Sequence, residues 1–105
     1  MISNYESCIA ACQQCLLDCQ NCLAKMAGME SMNDCPNCCN QCVDVCLVCI
    51  KFMVSDSPFT KEYCGLCAQV CEWCAEQCGQ HDHEHCQVCA ASCLACAKEC
   101  RKHAA

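Results

Sequence analysis

The chain has 105 residues, enough for one domain and little more. Twelve acidic residues against six Lys and Arg leave a formal net charge of −6, and the cations stand singly, which argues against nucleic acid or an anionic membrane surface as partner. Cysteine occurs 21 times, a composition that forces the core to be built largely from thiols.

The segment from Met1 to Cys12 has no basic stretch followed by an apolar one, so no signal peptide is expected. No apolar run approaches the roughly 20 residues that span a bilayer. The expectation is a soluble cytoplasmic protein without a membrane partner, in a compartment where thiols stay reduced.

In chain order, Ser3 and Glu6 fit a capping box that opens a first helix over about 4–28. It carries Cys8, Cys12, Cys15, Cys19 and Cys22 at steps of four and three, the spacing that places side chains on one stripe. Gly28 lies near its end. Asn33 or Asp34 is expected to cap a second helix over 34–54, with Pro36 in the first turn, where no intrahelical donor is lost. Its stripe is Cys35, Cys38, Cys42, Cys46 and Cys49, with Cys39 as an extra neighbour where the spacing is irregular. Ser57 and Pro58 start a third helix over 58–78, bearing Cys64, Cys67, Cys71, Cys74 and Cys78, with Gly79 suited to a left-handed stop. Asp82 is expected to cap a fourth helix over 82–102, bearing Cys86, Cys89, Cys93, Cys96 and Cys100. Short connections make sequential helices antiparallel neighbours. The predicted fold is all-α: one up-down-up-down four-helix bundle, residues 1–105, with a cysteine-lined core.

The residues flanking the stripes carry the packing. Ile9, Leu16 and Leu23 recur every seven residues on one shoulder of the first stripe. Ala90 and Ala97 allow close approach on the fourth. Val43, Val45, Leu47, Val48, Ile50 and Phe52 crowd both sides of the second, and Leu66, Val70 and Trp73 lie roughly opposite the third. A lone bundle would leave that surface wet, so a homo-oligomer packed through the second and third helices is expected.

Several chemistries compete for the thiols. As plain core residues they are too small to fill a bundle to normal density. A disulfide scaffold is normally loop-rich and irregular, whereas these stripes are regular and the count is odd. Iron–sulfur clusters sit on loops that wrap them. Soft thiolates select Cu(I) or zinc as well, and four inward cysteines at one level could satisfy tetrahedral zinc. A zinc store and a thiol redox buffer therefore remain open as alternatives. A copper-sensing repressor would need a basic recognition surface, which is missing. No nucleophile–base pair or phosphate loop suggests an enzyme.

The ladder ends favour copper. Continuing the first ladder reaches Met26 and Met29; stepping back from Cys35 reaches Met32, and from Cys86 reaches His83, flanked by His81 and His85. In an antiparallel bundle these groups share one mouth, and thioether with imidazole suits Cu(I) better than zinc. The opposite end, with Tyr5, Phe52, Met53, Phe59 and Tyr63, reads as an apolar plug, although Met53 and His103 also prolong ladders there.

With these residues in view, the sequence resembles the copper storage proteins, in their cytosolic bacterial branch, over essentially its whole length. The resemblance is most specific in Ser57-Pro58-Phe59, the ladder from Cys64 to Cys78, and Gly79 to Cys86 with its histidines. It implies many Cu(I) ions held per bundle, a homotetramer, and a role in copper homeostasis. The ladder cysteines would be the storage ligands, and Met26, Met29, His81, His83 and His85 the mouth. A copper chaperone or a low-molecular-weight thiol is the expected donor. Copper is expected to fill the space that the small side chains leave, in a bundle already helical without it.

Overall fold

The computed structural model describes residues 4–104. The stripes become four helices: α1 (Glu6–Met26), α2 (Asn37–Val54), α3 (Thr60–Gly79) and α4 (Glu84–His103). Each packs on its two neighbours in the ring α1–α2–α3–α4, in a body of 41 × 19 × 16 Å. Cross-helix sulfur contacts fix the directions. Cys8 near the start of α1 lies 3.7 Å from Cys100 near the end of α4, and Cys22 near the end of α1 lies 3.8 Å from Cys86 near the start of α4. Cys49 and Cys64 meet at 3.8 Å across the α2–α3 corner. The bundle is therefore antiparallel throughout.

The helix ends lie up to three residues from those expected, and the capping chemistry explains why. Tyr5 occupies the α1 N-cap without a side-chain hydrogen bond; the expected Ser3 cap lies outside the described residues. Gly28, at φ +79, turns the chain two residues after α1 ends. Before α2, Asn33 Oδ1 accepts from the Cys35 amide at 3.0 Å and the Asp34 carbonyl accepts from Cys38 at 2.8 Å. Pro36 therefore takes the N-cap rather than the first turn. Ser57 Oγ accepts the Phe59 amide at 3.1 Å, which caps a short turn ahead of α3. Asp82 is not the α4 cap; His83 is, and its carbonyl receives the amides of Cys86 and Gln87.

Gly79 also departs from expectation, remaining the last helical residue of α3. The carbonyls left open there are met by side chains instead of by a left-handed turn: Asn33 Nδ2 donates to Gln77 at 2.8 Å and Gln87 Nε2 to Gly79 at 3.0 Å. A Cβ at Gly79 would stand 3.9 Å from that of Ala90, an ordinary contact, so packing does not require glycine there.

All 21 cysteines are buried, Cys38 and Cys39 included. Ile9, Leu16, Leu23, Val43, Ile50, Val70 and Trp73 pack half-buried around them, while Leu47 and Leu66 stay exposed. The plug at the far end is smaller than the sequence suggests. Met53 is fully buried, and Phe52 and Tyr63 meet at a tilt of 57° with ring centroids 5.0 Å apart, but Phe59 is 64% exposed. α2 is also a long apolar helix. Its 18 residues reach a mean hydropathy of 1.4 and meet the length and composition of a spanning segment. Five cysteines supply much of that value, and they point into the bundle.

Candidate metal centre

The i,i+3/i+4 spacing turns each cysteine ladder inward, and the small side chains of Ala68, Ala75, Ala90 and Ala97, all buried, let the helices close until sulfurs touch. No cavity opens among the described residues. The interior is a column of closely spaced sulfurs, with any metal taking the interstices between them.

The column can be followed atom to atom. Cys86 donates to Met26 Sδ at 3.8 Å and lies 3.8 Å from Cys22, which stands 4.0 Å from Cys35. From Cys35 the contacts run to Cys78 at 3.4 Å, Cys39 at 3.4 Å and Cys89 at 3.7 Å. Cys19 follows at 3.4 Å, then Cys15 at 3.9 Å and Cys42 at 3.6 Å. Cys71, Cys46, Cys96 and Cys12 continue it at 3.5, 4.0, 4.0 and 3.5 Å. Cys12, Cys49, Cys67 and Cys100 form a group whose sulfurs all lie within 4.8 Å of one another, which carries the column to the far end. Several such four-thiol groups overlap along its length. Cys38, at the irregular position, touches Cys78 at 3.8 Å.

Shared protons set the thiol acidities. The Cys19 thiol beside Cys15 pulls the Cys15 thiol below its ordinary 9.0, and Cys15 in turn pushes Cys19 above it. Donation from Cys100, then Cys12 and Cys46, holds Cys67 down at about 7. At the mouth, burial pushes Cys35 up to about 12 and raises Cys86 as well. Those two thiols hold their protons at neutral pH and must release them to a metal.

The mouth lies where α1 and α3 end and α2 and α4 begin. Met26 is buried and in contact with the column. Met29 is not brought to it: the helix stops at Met26, the ladder spacing lapses, and Met29 and Met32 are 43% and 72% exposed. His81 is buried, with Nε2 at 2.9 Å from Asn33 Oδ1 and 3.2 Å from Ser31 Oγ. His83 is exposed and stacks on His85 at 5.1 Å. His85 Nε2 is the one buried side-chain nitrogen or oxygen without a hydrogen-bond partner among the described residues. Burial, then the neighbouring His83, holds its ring below the ordinary 6.5, so at neutral pH it is an uncharged imidazole able to offer a lone pair. Asn33, Gln77, Gln80 and Gln87 tie the α1–α2 and α3–α4 loops together around these groups. Of that clasp only Asn33 stands out in the sequence, as a residue before a helix start.

A bundle whose interior is sulfur from end to end is an all-α container for soft metal ions. A family model described as copper storage protein matches residues 1–105, and the chain belongs to that family. It is similar to the Cu(I)-bound copper storage protein BsCsp3, at 43% identity over 96% of this chain and 98% of that one, with a TM-score of 0.91. The apo form of copper storage protein 3 from Bacillus subtilis matches at 44% identity over 96% and 99%, with a TM-score of 0.90. A protein of Nitrosospira multiformis matches at 33% identity over 99% and 97%, with a TM-score of 0.85. The cysteine-rich protein YhjQ of Bacillus subtilis (strain 168) is 57% identical over 35 residues, 33% of this chain and 32% of that one.

Proposed function

We propose that this chain stores copper in the cytoplasm, its 21 cysteines holding many Cu(I) ions as thiolates inside the bundle. The observation that carries the reading is the run of sulfur contacts from Met26 to Cys12, continued to the far end by a four-thiol group whose sulfurs lie within 4.8 Å of one another. It offers an ion a soft ligand at every step. Copper supplies the charge that replaces the thiol protons, so each ion taken up releases protons to solvent. Met26, His81, His83 and His85 form the receiving mouth. The neutral, unpartnered ring of His85 and the buried thioether of Met26 support that direction of uptake. Delivery falls to a copper chaperone or a small thiol. The exposed apolar residues of α2 and α3 support a homotetramer, and the reading assigns no catalytic role.

The test is a titration of fully reduced, copper-free protein with Cu(I) against a competing chelator. More than about ten ions should be retained per chain, about one for every two sulfurs or better, with the luminescence of Cu(I)–thiolate clusters. Retention of no metal would favour a redox buffer. About five zinc ions per chain, at four sulfurs each, held against Cu(I) would favour a zinc store.

A further inference from the structure

One four-sulfur group at mid-column is nearly closed by direct contacts. Cys15 and Cys19 of α1, Cys42 of α2 and Cys93 of α4 form a four-sulfur group in which five of the six edges are direct contacts. They are Cys15–Cys19 at 3.9 Å, Cys15–Cys42 and Cys15–Cys93 at 3.6 Å, Cys19–Cys93 at 3.5 Å and Cys42–Cys93 at 3.9 Å. A tetrahedral ion with bonds of about 2.3 Å to sulfur has sulfur–sulfur edges of about 3.8 Å. The group therefore already has the shape and size of a zinc tetrathiolate. The group formed by Cys19, Cys74, Cys89 and Cys93 has only three edges in contact, the longest at 4.0 Å.

We propose that Cys15, Cys19, Cys42 and Cys93 form a preformed tetrahedral site for a single zinc ion in the copper-free protein. Binding exchanges four thiol protons for one divalent cation and leaves two negative charges on the four sulfurs. Neighbouring thiols offset that charge as donors: Cys89 lies 3.4 Å from Cys19 and Cys71 lies 3.5 Å from Cys42, an outer shell of the kind that orients and tunes metal ligands. Filling this group also takes Cys19 and Cys93 from the neighbouring group above, and Cys15 from the group with Cys46, Cys71 and Cys96. One ion at mid-column therefore disables both neighbours. Zinc at this site would hold three helices in register until copper displaces it.

The test titrates reduced, copper-free protein with Zn(II) alone, and separately with Co(II) as a coloured probe. The expected result is a first zinc equivalent held at least about 10-fold tighter than any later one. At one equivalent, Co(II) should give the intense visible bands of a tetrahedral tetrathiolate. Cys93→Ser should weaken the tight equivalent by more than the 10–100-fold that loss of an outer-shell partner costs, whereas Cys8→Ser, near the far end, should leave it in place. Uniform affinity over several equivalents, no zinc retained, an octahedral Co(II) spectrum, or a tight equivalent surviving Cys93→Ser would each overturn the proposal. The Co(II) spectrum of the unaltered protein decides the matter even if Cys93→Ser fails to fold. Cu(I) capacity measured on the same preparation keeps a negative zinc result separate from the copper reading.

Discussion

Cys35 and Cys86 show what burial does to one thiol in this protein. Both are screened from water at the mouth, and burial raises both above the ordinary 9.0, Cys35 to about 12. The folded state therefore keeps protons that the unfolded chain gives up. The stability Cys35 contributes is whole below about pH 9 and is lost as the pH rises towards about 12, and that of Cys86 changes in the same direction. Cys67, held at about 7, has the opposite sign: its contribution is full above about pH 9 and fades as the pH falls through about 7. The melting temperature of the copper-free protein should therefore fall as the pH rises above about 9, by roughly 4–8 °C for each kcal/mol lost. Thermal unfolding followed by circular dichroism across that range checks it. A flat profile would mean that burial does not raise these thiols above their acidity in the unfolded chain. In the copper-loaded protein the same protons are already gone, and the alkaline slope should largely vanish.

At the scale of the element, α2 separates two uses of apolar surface. Its cysteines and Met53 face inward, while Leu47 is 51% exposed with Val48 and Phe52 half-buried beside it. Its hydropathy of 1.4 reflects both faces at once, which is why length and composition alone liken it to a spanning helix. If copies of this chain assemble through α2 and α3, Leu47→Lys should reduce the mass measured by light scattering from that of a tetramer to that of one chain. Helical circular dichroism should be unchanged, because an exposed substitution moves stability by only about 0.5 kcal/mol. A mass unaffected by Leu47→Lys would place the interface elsewhere. The helix starts teach a related lesson. Asn33 and Ser57 are legible as turn and cap residues, but the carbonyls at the end of α3 are satisfied by Asn33 and Gln87 from other parts of the chain. No local pattern around Gly79 announces that.

At the scale of the whole molecule, the sulfurs are in contact before any metal arrives, and the half-buried residues around them, among them Ile9, Leu16, Leu23, Val43 and Ile50, hold the helices together. The copper-free protein should therefore show strong helical circular dichroism. Each site filled at a free-ion concentration 100-fold above its Kd adds about 2.7 kcal/mol to the folded state, so loading should raise the melting temperature by more than about 10 °C. A copper-free chain with little helix, or one whose melting temperature ignores loading, would mean that the seams do not hold the bundle and that copper binding is not coupled to folding.

The sequence by itself determined the four helices, the inward turn of the regularly spaced cysteines and the soft-metal chemistry, because heptad spacing is a local property and thiolate preference belongs to the side chain; that Cys38 and Cys39 are both buried was decided by the tertiary structure. Only the tertiary structure decided which thiols meet. That depends on how closely α1 to α4 approach, and buried alanines such as Ala90 and Ala97 let them close until no cavity remains among the described residues. It likewise separated Met26 from Met29, and His85 from His81. Gly28 turns the chain away from the ladder, and hydrogen bonds from a distant loop take up the His81 ring, while His85 Nε2 is left without a hydrogen-bond partner. Such contacts join residues tens of positions apart, and spacing along the chain carries no record of them.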